Sequence, residues 1–136
     1  MVKSKPFTLR LSEGTDAWVE HESRRTKRSK GAVVEALTEE AVRMRRFPGI
    51  AFRGPEHDRR AWVIGTAFDV WEIVSGYRDS GSLERLLAAS HLKERPARLA
   101  LRYAEAYPDE IEQALKANEL TPDQAAFLYP TLFTER

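Results

Sequence analysis

The sequence predicts a mainly α-helical chain carrying one short β-hairpin. Three observations point there. Apolar residues recur at steps of three and four along most of the chain, two short apolar runs flank a single Gly/Pro-containing turn, and Pro, Gly and Ser punctuate the helical runs at short intervals. The breaks and the charge divide the chain into residues 1–46, residues 47–119 and a tail of residues 120–136. Residues 1–46 carry a net charge of +4 and residues 47–136 a net charge of −3. A basic front and an acidic back suggest two tasks.

Residues 6–11, PFTLRL, alternate Phe7, Leu9 and Leu11 with Thr8 and Arg10, the period of a strand with one covered face. Pro6 sits at its start, where a missing N–H is tolerated. Ser12 reads as an N-cap for a helix over roughly 13–27, with Trp18 and Val19 as core contacts. Ser29 reads as the cap of a second helix over roughly 30–45, whose Val34, Leu37, Ala41 and Met44 form an apolar stripe. Phe47-Pro48-Gly49 ends it.

Ile50–Arg53 and Ala61–Ile64 around a polar turn, Gly54–Arg59, predict the hairpin. Thr66 with Asp69 resembles a capping box ahead of a helix holding Phe68, Val70, Trp71 and Val74. Asp79-Ser80-Gly81 is a turn, and Ser82 caps a short helix with Leu83, Leu86 and Leu87. A helix over roughly 94–106 carries Leu99, Ala100 and Tyr103, with Pro96 confined to its first turn. Tyr107-Pro108 breaks it, and Asp109–Glu119 forms another helix with acidic residues at its start. One more short helix begins at Thr121-Pro122-Asp123.

Composition sets limits. The chain has no Cys and only three scattered His, so disulfides and thiolate zinc sites are excluded and no cofactor is expected. The start lacks the apolar core of a signal peptide, and no apolar run reaches membrane-spanning length, so the expected setting is cytoplasmic, away from membranes. Asp109-Glu110 and Glu39-Glu40 are neighbours along helices and do not face one another. No Gly-rich phosphate loop or nucleophile elbow appears, so no enzyme is expected.

One strand followed by two helices cannot cover its own apolar strand face. Pairing with a second copy solves this and makes a two-stranded antiparallel ribbon, found only in a homodimer. In that arrangement Phe7, Leu9, Leu11, Trp18, Val34 and Leu37 form the dimer core. A ribbon fits the DNA major groove with its outward side chains on base edges. Here those are Thr8 and Arg10, with Lys5 at the edge; Arg10 has the geometry to donate twice to a guanine. Backbone N–H groups near Ser29, Lys30 and Gly31, beside Arg28, are placed to hold a phosphate.

The pattern Phe7-Thr8-Leu9-Arg10-Leu11, then Arg28-Ser29-Lys30-Gly31, then Val33-Val34 with Leu37, resembles the ribbon-helix-helix family of repressors and antitoxins. The family's second helix often opens Ser-Lys-Ser-Glu; this chain has Ser-Lys-Gly-Ala, so the resemblance does not carry over the phosphate contact of the second Ser. The resemblance covers about a third of the chain and implies an intertwined dimer on a double-stranded operator.

Residues 62–115 resemble the small prokaryotic family numbered four-three-three among domains of unknown function. The matching residues are Val63-Ile64-Gly65-Thr66, Val70-Trp71-Glu72-Ile73-Val74, Gly81-Ser82-Leu83-Glu84, Ala100-Leu101-Arg102-Tyr103 and Tyr107-Pro108-Asp109-Glu110-Ile111. The family's Gly-Thr-Arg is here Gly-Thr-Ala, and Lys93 replaces its usual Ser or Thr cap. The resemblance implies a small, mostly helical, winged helix-turn-helix-like domain. Together the two resemblances imply a VapB-type antitoxin whose partner toxin is a PIN-like ribonuclease.

The tail crowds Phe127, Leu128, Tyr129, Leu132 and Phe133 into a few residues, the kind of side chains that anchor a partner, and ends on Arg136. Two other readings stay open. One is a free-standing repressor whose second domain senses a ligand or adds DNA contacts; the other is an interaction module with no DNA role.

Overall fold

The structure, a computed structural model, describes residues 2–119 together with Asp123, Gln124 and Phe127. The described residues form six helices and one two-stranded antiparallel hairpin, in two compact units that divide between Arg46 and Phe47.

The front unit is a pair of helices preceded by an extended arm. The first helix, α1, spans Glu13–Thr26. Ser12 has the extended backbone of an N-cap, but its hydroxyl donates to Thr15 Oγ1 at 3.0 Å instead of accepting a backbone N–H, so the expected side-chain cap is not made. Glu13 and Asp16 lie in the first turn and Arg24 and Arg25 in the last, both complementary to the helix dipole. The helix closes on Lys27, the one described non-glycine residue with positive φ, at 55°. The second helix, α2, spans Lys30–Arg46, and here the expected cap is present: Ser29 Oγ accepts the Ala32 N–H at 3.1 Å. The two helices bury Val19 and Val33 at 1% exposure each.

Several of the unit's other large apolar residues are exposed, and three expectations change accordingly. Residues 6–11 are not a strand in the single chain, because no neighbouring strand is there to take their backbone hydrogen bonds. Trp18 is not a core contact beside Val19; it is 52% exposed. The stripe on α2 is only partly covered in its own chain: Val34 is half-buried, while Ala41, Leu37 and Met44 are exposed.

The second unit begins with β1, Ile50–Arg53, antiparallel to β2, Arg60–Val63, in the register Ile50↔Val63 and Arg53↔Arg60. The second strand starts one residue before the expected Ala61, and Ile64 falls outside it, exposed. Alternation along β2 turns Ala61 and Val63 inward. Gly49 leads in with φ of 105°; a Cβ there would lie 2.7 Å from Leu99 Cδ2, so both backbone and space call for glycine.

Four helices follow: α3 (Val70–Ser80), α4 (Leu83–Ala89), α5 (Glu94–Ala106) and α6 (Pro108–Ala117). The capping box is Asp69 with Glu72, not Thr66 with Asp69: Glu72 Oε1 accepts the Asp69 N–H at 2.9 Å. Thr66 instead knits the preceding turn, donating to Val63 O at 2.8 Å and accepting from Phe68 N. Gly81 ends α3 with φ of 85°, and Ser82 Oγ caps α4 by accepting the Arg85 N–H at 3.2 Å. Lys93 precedes α5 with no side-chain cap. Pro108, expected to act only as a breaker, opens α6 one residue before Asp109, since a first-turn proline has no N–H to satisfy.

Helix α3 is the centre of this unit, packed by α4, α5, α6 and β2. Val70, Ile73, Val74, Ala97, Ala100, Tyr103 and Ile111 share its core with Ile50, Val63, Leu86 and Leu92. Phe68, expected in the apolar pattern of α3, is 37% exposed, while Ile73, which that expectation omits, is buried. Tyr103 is fully buried, edge-on to Phe47 at 5.4 Å and tilted against Tyr107 at 4.9 Å.

Candidate nucleic-acid interface

The expected base-reading residues lie on the extended arm. Lys5, Thr8 and Arg10 are exposed, and so are Phe7 at 79% and Leu9 at 55%; Leu11 is half-buried. In one chain, therefore, the alternation does not sort the residues into a covered and an open face. Lys5 and Arg10 have no ion-pair partner among the described residues.

The turn between the two helices is tightly tied. Ser23 Oγ donates to Arg28 O at 2.5 Å, Thr26 Oγ1 donates to Glu22 O at 2.7 Å, and Arg28 Nε donates to Thr26 Oγ1 at 3.1 Å. These bonds fix where α2 begins. Its first N–H groups, at Lys30 and Gly31, have no intrahelical acceptor available. The space where a Gly31 Cβ would stand is open, with nothing within 4 Å. The chain's own packing does not demand glycine at this position.

Lys30 departs from expectation. Its Nζ pairs with Asp16 on α1 and lies 3.7 Å from Glu20. The Asp16 carboxylate holds the ammonium in its charged form, raising its pKa. Lys30 is thus a clip between the helices, and the expected phosphate role would require it to exchange carboxylates for a phosphate. Arg24 and Lys27, at the same end of α1, are exposed and have no ion-pair partner among the described residues.

Glu22 is the buried acid of this unit at 8% exposure, and Arg25 grips it through Nε at 2.9 Å and Nη2 at 2.6 Å. The Arg25 hydrogen bonds hold the carboxyl below its ordinary value of 4.5. A depressed carboxyl stabilises the fold above its unfolded value and loses that contribution as pH falls through the lower folded one. Acidification from neutrality to below pH 4.5 should therefore loosen the helix pair, and Glu22→Gln should flatten that part of the pH profile of helicity; an unchanged profile would remove Glu22 as the cause.

A polar centre in the second unit was not foreseen. Asp69 is 4% exposed. Its Oδ1 accepts from Arg53 Nε at 2.8 Å; Oδ2 accepts from Arg60 Nε at 2.8 Å and Trp71 Nε1 at 3.2 Å. Arg53 also donates to Ala67 O at 3.0 Å and stands 5.2 Å from the Trp62 ring centroid. Trp62 Nε1 donates to Thr66 O at 2.7 Å. The two tryptophans are thus half-buried supports of a charged hub. One sequence signal existed: Arg53 and Arg60 are directly opposed across the hairpin, and like charges in that position need a shared counterion.

A cleft of about 680 Å³ lies between α3 and α6 and is lined by residues of both signs, with an ion pair between Arg78 and Glu112. Among the described residues no cluster of His, Asp and Glu could hold a metal, and no helix is long and apolar enough to cross a membrane. Of the expected toxin-binding residues, Phe127 is 84% exposed; Leu128, Tyr129, Leu132, Phe133 and Arg136 lie outside the described residues. No protein-family model, curated protein or solved structure matches this chain.

Proposed function

We propose that the chain is a DNA-binding regulator that acts as a homodimer of the ribbon-helix-helix type. One observation carries the reading. Phe7, Leu9, Trp18, Leu37 and Met44 are between 42% and 79% exposed in the front unit, although they belong to the periodic patterns that ordinarily mark a covered face. A second copy pairing arm with arm would cover them and would leave Thr8 and Arg10 outward. The net charge of +4 in residues 1–46, and the unpaired Lys5, Arg10, Arg24 and Lys27, suit a duplex.

Within that reading the chain serves as the antitoxin of a type II pair, repressing its own operon and neutralising a PIN-like ribonuclease toxin through its second unit and tail. The support is the paired resemblance of residues 1–46 and 62–115 and the exposed Phe127 ahead of further aromatics. The winged helix-turn-helix-like character of the second unit belongs to this proposal as well.

The test is a gel shift of the dimer on the duplex upstream of its own gene. Arg10→Ala should weaken binding by about 1–3 kcal/mol and relax base preference at one position. A chain that is monomeric at micromolar concentration, or that ignores the upstream duplex, would overturn the proposal. Co-purification with the product of the adjacent gene tests the antitoxin role separately.

A further inference from the structure

We propose that α5 is a second DNA-contact surface, on which Arg95, Arg98 and Arg102 meet duplex phosphates. The proposal rests on the DNA-binding reading above and extends it to the second unit.

The helix is sharply two-faced. Ala97, Ala100 and Tyr103 are fully buried against the core. At 100° per residue the direction opposite to them is occupied by Arg95, Arg98 and Arg102, at steps of three and four, all exposed. Three guanidinium groups therefore share the middle of the solvent face over roughly 10 Å of helix. Glu94 and Glu105 both lie on the Arg98 side of the row, Glu105 as near the middle of the face as Arg95, and the opposite side carries no carboxylate of α5. Glu94 engages Arg98, through Nε at 2.9 Å and Nη2 at 2.8 Å. Arg95 and Arg102 have no carboxylate partner among the described residues.

The charge context makes the stripe informative. Residues 47–136 carry a net charge of −3, so this part of the chain as a whole is repelled by a polyanion. A local row of arginines within it is an oriented exception: it would admit one face of the unit to a duplex and turn the others away. Guanidinium groups suit phosphate better than ammonium groups because their forked donors match two oxygens at once. A covalently joined front unit already on DNA would hold α5 at high effective concentration, so even a weak phosphate contact would count.

The experiment compares the full chain with Arg95→Gln/Arg98→Gln/Arg102→Gln on the upstream duplex by fluorescence anisotropy over a range of salt. Glutamine keeps helix propensity, and a matched thermal midpoint establishes that the variant is folded. The expected result is at least a 10- to 100-fold loss of affinity, with the slope of log K against log salt shallower by about 2 to 3 for each protomer whose α5 reaches the duplex and about 5 when both copies of the dimer do, about 0.9 for each phosphate contact removed. Glu94→Gln, which releases Arg98, should strengthen binding several-fold. Unchanged affinity and slope in the triple variant overturn this inference and leave the arm's role intact. No binding by the unaltered chain, even at low salt, overturns the DNA reading and this inference with it. Native DNA affinity in a triple variant that no longer binds polyglutamate would assign the face to an acidic protein and overturn the proposal.

Discussion

Replacing Asp69 with Ala should cost the second unit about 2–4 kcal/mol, the largest stability loss expected from any polar side chain here. The carboxylate is 4% exposed and accepts from Arg53, Arg60 and Trp71 at once. Without it the directly opposed Arg53 and Arg60 repel each other across the hairpin. The arginine side chains are 38% and 32% exposed and can rehydrate, which keeps the loss below that of a wholly buried pair. Asp69→Asn keeps the shape but sets an amide among cationic donors, and should cost about half as much. Thermal unfolding measures both; for a unit of this size about 1 kcal/mol moves the midpoint by roughly 4–8 °C. A midpoint for Asp69→Ala within 1 °C of the unaltered chain would remove Asp69 as the hub.

Leu9→Lys should act in the opposite manner, sparing the single chain and breaking the dimer. Leu9 is 55% exposed, so its loss should alter the monomer's stability by less than about 1 kcal/mol. In a paired ribbon each copy would bury that side chain. Withdrawing it twice should weaken dimerisation by about 3–6 kcal/mol, roughly a hundred- to ten-thousand-fold in dissociation constant. Leu37→Glu on α2 should do the same, since Leu37 is 43% exposed. Sedimentation equilibrium supplies the readout, and operator binding should fall with the dimer. An unchanged dimerisation constant in both variants would show that another surface joins the copies, or that none does.

The sequence and the tertiary structure divide the work along a physical line. What depends on residues a few positions apart was legible: the caps at Ser29 and Ser82, the turn at Gly81, the hairpin around Gly54–Arg59 and the bounds of α1, α2 and α5, since helix period and cap chemistry are local. What depends on where distant segments meet was not. Trp18 and Val19 are neighbours in the chain, yet only Val19 is buried, because successive helical residues point about 100° apart. Lys30 appears as a free phosphate ligand until α1 brings Asp16 beside it. Asp69 reads as a partner for Thr66 until the hairpin folds Arg53 and Arg60 onto it. Amphipathic spacing shows that a face is to be covered; only the packing of elements decides what covers it, and in the front unit one chain leaves that face open.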